Sequence, residues 1–308
     1  MTAPLSPHFT LHDEVATALG EGRAVVALET TIVVHGLPAP QNLEVAAACE
    51  AAVRAAGAVP ATIGVVNGVV RVGMDAATLA GLADPGRPSA KLSARDLGFA
   101  VATGTSGATT VAGTIAAAHH AGIAVMATGG LGGVHRGAAA TYDESADLTA
   151  LARVAVLVVA SGVKSILDIG ATLERLDSLG VPVAGYRTDR FPGFYRADSG
   201  FALDWRLESA ALAAAAFAAH RRWSPTGFVV ANPVAPEREL DATVHDDALA
   251  QALAHAAAVG ATGKDVTPVV LAEFARVTGG ASVRVNSDLV VANAAVAAQI
   301  AVALAALA

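Results

Sequence analysis

The chain reads as an α/β protein built on a mixed, mostly parallel sheet. Short apolar, β-branched runs alternate with alanine-rich runs of helical period along its whole length. The dipeptide Asn67-Gly68 stands between two such apolar runs. It suits the positive φ angles of a type I′ turn, so one antiparallel hairpin is expected within the sheet. No fixed-period repeat or low-complexity linker divides the 308 residues, and a single domain spanning 1–308 is expected.

The elements follow in order. AVVALETTIVV from Ala24 predicts a strand that runs into HGLPAPQN, and a helix is expected from Asn42 to Gly57. PATIGVV from Pro60 and VVRVG from Val69 form the arms of the hairpin. Ser93 followed by Asp96 is a capping box, so a helix over 93–103 starts just beyond Lys91. A helix from Val111 to Gly122 leads into the strand IAVMAT from Ile123, and VAVLVVA from Val154 precedes a helix over 165–179. VPVAGY from Val181 and GFVVAN from Gly227 flank a helix over 208–222, and further helices fill the C-terminal third. The segment 186–204, YRTDRFPGFYRADSGFALD, gathers aromatic and charged residues and is expected to cover a site.

Composition excludes several functions. Net charge is −7 and only 15% of residues are charged, which argues against electrostatic capture of nucleic acid. A hydrophobic fraction of 54% and mean hydropathy of +0.53 owe much to alanine. The segment 289–308 is long and uncharged, but it contains Asn293 and Gln299 and lacks a basic anchor, so a packed helix is expected there rather than a membrane span. The N-terminus shows no basic stretch followed by an apolar one, and a cytoplasmic protein is expected. Cys49, the single cysteine, allows no intrachain disulfide and is expected to be buried and inert.

In open α/β sheets ligands bind beyond the carboxyl ends of strands, and the unusual residues of this chain fall there. Glu29 interrupts an apolar run, where burial would raise its pKa towards general-acid duty. Lys164 ends the run VAVLVVASGVK. A solvated lysine is a poor nucleophile, and desolvation frees its lone pair for attack on a carbonyl-like carbon. Lys91 offers a point charge to a phosphate, and the glycines, hydroxyls and amides over 104–110 make an anion site ahead of a helix, though without the order of a nucleotide P-loop. The run Gly129 to Gly133 gives a mobile or closely approached backbone before His135 and Arg136. Asp143, Glu144 and Asp147 are hard oxygen ligands of the kind that suits Mg²⁺ or Mn²⁺, while Ser145 to Asp147 also reads as an ordinary helix N-cap.

Taken in order, ALETTIVVHGLPAPQN, KLSARDL, GATTVAGT, ATGGLGGVHRG, DESADL, SGVKSILDIG and GVPVAGYRTDRFPGFY resemble pseudouridine-5′-phosphate glycosidase, from about residue 11 to the C-terminus. The resemblance implies an α/β/α sandwich, a homotrimer, one Mn²⁺ per subunit, and reversible cleavage of pseudouridine 5′-phosphate to uracil and ribose 5-phosphate. By the same resemblance Glu29 is the proton donor, Lys164 the covalent lysine and Asp143 the metal ligand. Ser145, Ala146, Asp147, Lys91 and the backbone at Val111 are implied to touch substrate. Thr110, Thr128, His135 and Asn286 are further candidates. The chain departs from the family pattern at ANPVAPERE from Ala231 and at Asn67, away from these motifs.

Three other readings compete. A related enzyme acting on another C-glycoside keeps the same lysine, glutamate and phosphate residues. Schiff-base chemistry on an α/β scaffold also fits a lysine-dependent aldolase. A non-catalytic sugar-phosphate binder has no need of the pair Glu29 and Lys164.

Overall fold

The structure, a computed structural model, describes residues 7–261 and 266–307. Its strands are β1 (Phe9–Leu11), β2 (Val25–Leu28), β3 (Val59–Val66), β4 (Val69–Val72), β5 (Ala90–Leu92), β6 (Gly107–Thr109) and β7 (Val125–Ala127). They continue as β8 (Val134–His135), β9 (Leu157–Ala160), β10 (Leu167–Asp168), β11 (Val183–Tyr186), β12 (Arg206–Leu207) and β13 (Phe228–Ala231). The helices are α1 (Asp13–Gly20), α2 (Gln41–Ala55), α3 (Ala76–Leu82), α4 (Leu97–Thr103), α5 (Val111–Ala121) and α6 (Ala138–Thr141). Then come α7 (Ala146–Leu151), α8 (Ile169–Ser178), α9 (Ala210–His220), α10 (Ala242–Ala258), α11 (Val266–Val277) and α12 (Ala281–Ala305).

Eleven strands form one sheet, in the order β1-β4-β3-β2-β7-β9-β13-β11-β12, with β6 beside β3 and β5 beside β6. From β3 to β12 every pairing is parallel. The β3–β4 and β3–β6 pairs are antiparallel, so the sheet is mixed and mostly parallel, as the sequence predicts. Asn67 and Gly68 take φ of 50° and 73°, the positive angles expected of the hairpin turn. Strands β2, β9 and β13 are buried at every position, which requires cover on both faces. Helices α2, α9 and α12 pack together on one side, and α5 and α7 on the other. The result is an α/β/α sandwich.

Helix α12 is long and apolar enough to cross a membrane by length and composition alone. Here it packs against α2, α9, β2, β7 and β9, with Leu289, Val290, Ala294, Ala297 and Ala301 buried. Asn293 on the same face donates to the Thr128 carbonyl at 2.8 Å and accepts from Asn232 at 2.9 Å. A polar side chain satisfied inside this layer is what a core helix needs. Cys49 is buried on α2, and burial pushes its thiol up to about 12, so it stays protonated and inert.

Two expectations are corrected. The run AVVALETTIVV is not one strand, because β2 ends at Leu28 and Ile32–Gly36 forms a π-helical turn. Tertiary hydrogen bonds override the β-branched run there. Thr30 Oγ1 donates to the Ile63 carbonyl at 2.8 Å, Thr31 Oγ1 to the Thr109 carbonyl at 2.7 Å, and Asn42 Nδ2 to the Val33 carbonyl at 2.8 Å. The helix expected over 165–179 begins only at Ile169. Residues 167–168 pair instead with Val134 and His135 in an antiparallel ribbon, and Asp168 caps the helix by accepting the Ala171 N–H at 3.0 Å. The helix over 93–103 opens as a 3₁₀ turn, Ala94–Asp96, with the Asp96 carboxylate accepting the Ser93 N–H at 2.9 Å.

Candidate active site

Three neighbouring strands deliver the site. Register pairs Leu28 of β2 with Ala127 of β7, and Ala127 with Val159 of β9. Glu29 and Thr128 are the next residues after β2 and β7, and Lys164 follows β9 by four. All three therefore emerge at the carboxyl edge of the sheet, where a parallel topology places its ligands. Glu29 is 8% exposed and receives a hydrogen bond from the fully buried Thr128 hydroxyl. Burial raises its pKa above the usual carboxylate value, while Lys164, the Thr128 bond and Lys91 pull it down and Asp147 adds to the rise. The net effect favours the protonated acid, the state a proton donor needs.

Lys164 is half-buried. Its N–H donates to the Leu131 carbonyl at 3.1 Å, and its carbonyl accepts from Leu167 at 2.9 Å. Ser165 beside it donates to the Gly193 carbonyl at 3.1 Å, which ties this turn to the 186–204 loop. That loop does reach the site. Phe191, Phe194 and Tyr195 are buried, and Phe194 lines the cleft.

The cleft has two chambers that share a wall. One, the narrower and mainly apolar, is lined by Ile32, His35, Gly129, Gly130, Phe194, Leu271 and Asn286. The other, about 280 Å³, is polar and takes Ser93, Thr110, Val111, Gly132, His135, Asp143, Ser145, Ala146 and Asp147. Glu29, Thr31, Lys91, Lys164 and Thr267 line both. Of the residues expected from the sequence to act on substrate or metal, all but Thr128 border this one cleft, with Glu29 and Lys164 at the junction; Thr128 lies buried behind Glu29.

The glycine run is a packing device rather than a mobile loop. A Cβ on Gly132 would stand 2.2 Å from Ser145 Oγ, on Gly133 2.4 Å from Thr172 Oγ1, and on Gly130 2.6 Å from the Phe194 ring. Asp147 holds this backbone in place. It is 5% exposed and accepts the Gly132 N–H at 2.8 Å and the Ala112 N–H at 2.9 Å. The second of these lies in the first turn of α5, where a carboxylate also meets the positive end of the helix. Asp147 is thereby committed to positioning the wall. Ser145 is an N-cap as well, accepting the Asp147 N–H at 3.2 Å.

Thr110 caps α5, accepting the Gly113 N–H at 3.3 Å, and so places Val111 at the cleft. Asp143 is half-exposed, and the Nδ1 of His135 stands 3.9 Å from its carboxylate. Glu144, which also lines the polar chamber, is held by Arg175 at 2.9 Å. Among the described residues no group of three His, Cys, Asp or Glu side chains can hold a metal. A hard cation here would therefore have few protein ligands, Asp143 among them, with solvent and substrate oxygens completing its shell.

The sequence analysis missed His35 and Phe194. His35 looked like a residue at the end of a strand, and only the π-helical turn swings it back to the cleft. Phe194 was one aromatic among several in its loop.

A family model described as indigoidine synthase A like protein matches residues 14–303. A protein of Salinispora tropica named pseudouridine-5′-phosphate glycosidase is 58% identical, the match covering 95% of this chain and 91% of that one. The chain belongs to the pseudouridine-5′-phosphate glycosidase family. Another member, from a Nocardioides species, bears the same name and is 52% identical over 98% of both chains. Two solved structures share the fold. The prealnumycin C-glycosynthase AlnA in complex with ribulose 5-phosphate aligns with a TM-score of 0.90 and 38% identity, over 98% of this chain and 99% of that one. An indigoidine synthase A-like protein of Thermotoga maritima aligns with 0.89 and 32%, over 99% and 100%. Membership of this family makes the chain an enzyme.

Proposed function

We propose that this enzyme reversibly cleaves the C–C glycosidic bond of pseudouridine 5′-phosphate, giving uracil and ribose 5-phosphate through an imine on Lys164. The observation that carries the reading is the divided cleft. A C-nucleotide has a flat ring at one end, a phosphate at the other and the scissile carbon between them. The apolar chamber suits the ring, the polar chamber suits the phosphate, and Glu29 and Lys164 stand where C1′ would lie. The relatives named for this reaction and a pentose phosphate bound to a neighbour of the same fold support it.

The residues can carry the steps. Uracil joined through C5 is a poor leaving group, so the sugar is opened first. Protonated Glu29 gives its proton to the ribose ring oxygen as the C1′–O4′ bond breaks, with electrons pushed from the uracil ring. Lys164, having given up its ammonium proton, then adds its lone pair to C1′, forming a C–N bond. The proton shed by the adduct nitrogen passes to C5, the nitrogen lone pair forms the C=N bond, and the C1′–C5 electrons return to uracil. Water hydrolyses the imine, releasing ribose 5-phosphate and restoring the amine. Lys91 and the first turn of α5 bind the phosphate. Asp143, with His135 beside it, would hold the Mn²⁺ that the family resemblance implies, and that ion would offset phosphate charge and orient water.

A homotrimer in the cytoplasm is proposed with this activity. The free, inert Cys49 suits a reducing compartment, and exposed rings at Phe99, Trp205 and Trp223 offer apolar surface to other copies. Light scattering checks the assembly.

The decisive experiment incubates the protein with ribose 5-phosphate and uracil. Pseudouridine 5′-phosphate should form, seen by mass and absorbance. An aldol product, or none, would sink the assignment.

A further inference from the structure

The apolar chamber contains a histidine that the reaction above does not use. His35 lines it together with Glu29 and Lys164, and among the described residues its Nε2 is buried with no hydrogen-bond partner. Native proteins rarely leave a buried polar atom unsatisfied, and an exception beside a reaction centre points to a missing ligand. The imidazole also meets the Ala90 backbone. With Nε2 unpartnered, that contact falls to Nδ1, and donation from Nδ1–H to a carbonyl leaves Nε2 of a neutral ring as the acceptor.

The turn that carries His35 is held rigidly. The Leu37 N–H donates to the Ile32 carbonyl at 3.0 Å, and Thr31 and Asn42 pin the turn to β6 and α2. Had β2 continued straight, each residue would have carried the chain about 3.3 Å further from Glu29. The π-helical turn instead folds position 35 back beside it. Single π-helical turns cluster at functional sites. Burial, and secondarily the nearby Lys91 charge, lowers the His35 pKa against the pull of the Ala90 contact, which keeps the ring neutral at pH 7.

We propose that His35 is a base-recognition residue, its Nε2 accepting a hydrogen bond from a ring N–H of the uracil seated in the apolar chamber. This role rests on the reaction proposed above. A uracil linked through carbon keeps both ring N–H groups, N1–H and N3–H, and one linked through nitrogen keeps a single one. A fixed acceptor in this wall, with the buried Oδ1 of Asn286 as a second polar group of the chamber, selects rings by their free N–H groups, which its apolar side chains cannot do.

Kinetics with pseudouridine 5′-phosphate and its 1-methyl and 3-methyl analogues test it on wild type, His35→Ala and His35→Gln. Wild type should disfavour one methylated analogue by about ten- to a hundred-fold in kcat/KM. His35→Ala should lose a similar factor on the parent substrate and erase the discrimination, and His35→Gln should recover part of both. Borohydride trapping of ribose 5-phosphate on Lys164 involves no base and should be unchanged in the variants. The role is overturned if wild type accepts both methylated analogues fully, or if discrimination persists in His35→Ala. It is equally overturned if His35→Ala slows trapping and all three substrates alike, because that marks a structural residue. Absence of wild-type turnover of pseudouridine 5′-phosphate would overturn the reaction itself, and this role with it.

Discussion

The Thr128 hydroxyl donates a hydrogen bond to the buried carboxylate of Glu29, one strand away. That bond and the Lys164 charge both favour ionised Glu29, yet burial outweighs them and the pKa stands raised. A carboxyl whose folded pKa exceeds its unfolded one contributes stability that is full below the unfolded pKa. That contribution is lost as pH rises through the folded pKa. Wild type therefore carries a destabilising charge at alkaline pH, and a neutral isostere removes it. Glu29→Gln should match wild type in thermal unfolding near pH 4, exceed it at pH 8, and show no turnover. A variant less stable than wild type at pH 8 would contradict the account.

Lys164→Ala should abolish turnover and leave the fold intact. The side chain is half-buried, and the contacts that shape its turn are backbone ones to Leu131 and Leu167. Borohydride with ribose 5-phosphate should place a stable adduct on Lys164 in wild type, located by peptide mass. An adduct on Lys91 instead would move the covalent step to the wrong residue.

Most of the sheet was legible because parallel buried strands announce themselves as unbroken apolar runs, as at Val154–Ala160. The short strands β1, β5, β6, β8, β10 and β12 were not legible, since two or three residues carry no period of their own. The π-helical turn at Ile32–Gly36 was hidden for a different reason. Its sequence favours a strand, and the hydrogen bonds that decide otherwise come from residues up to 78 positions away. Glu29 and Lys164 stood out because charged groups beside apolar runs need a cause. Asp147 was legible as an acidic residue of interest, but not that two backbone N–H groups occupy its oxygens.

The two carboxylates Asp143 and Asp147 should therefore respond differently to replacement. Asp147→Asn puts an amide where both neighbours are donors, so at least one bond is lost and a buried N–H is left unsatisfied. A loss of about 1–3 kcal/mol is expected, seen as a lower denaturation midpoint. Asp143→Ala, at a half-exposed side chain with no close bond, should leave stability nearly unchanged and weaken activation by Mn²⁺. Unchanged metal dependence in Asp143→Ala would show that the ion is held elsewhere.

Gly132→Ala tests the packed wall directly. The new Cβ would meet Ser145 Oγ at 2.2 Å and Asp147 Oδ2 at 2.8 Å, and Asp147 cannot retreat without releasing α5. Overpacking of this kind costs about 1–3 kcal/mol, and here it should also displace the phosphate side of the cleft. Both Tm and substrate affinity should fall. A variant with wild-type affinity would mean that the run tolerates movement after all.

Phosphate recognition follows from charge. The protein is net acidic at −7, so attraction for a dianionic sugar phosphate must be local. Lys91 borders both chambers, and the first turn of α5 opens onto the polar one with Thr110 and Val111. A charge-assisted contact is worth about 1.5–3 kcal/mol, roughly ten- to a hundred-fold in affinity. Lys91→Ala should accordingly raise the KM for pseudouridine 5′-phosphate by that factor and change kcat much less. Unphosphorylated pseudouridine should be a very poor substrate of the wild type and nearly indifferent to the substitution. Removing the Lys91 charge should also raise the Glu29 pKa, because that charge is one of the groups holding it down. The alkaline limb of the pH–rate profile should then move to higher pH in the variant. Equal turnover of the two substrates by wild type would refute phosphate anchoring, and with it the choice of substrate class.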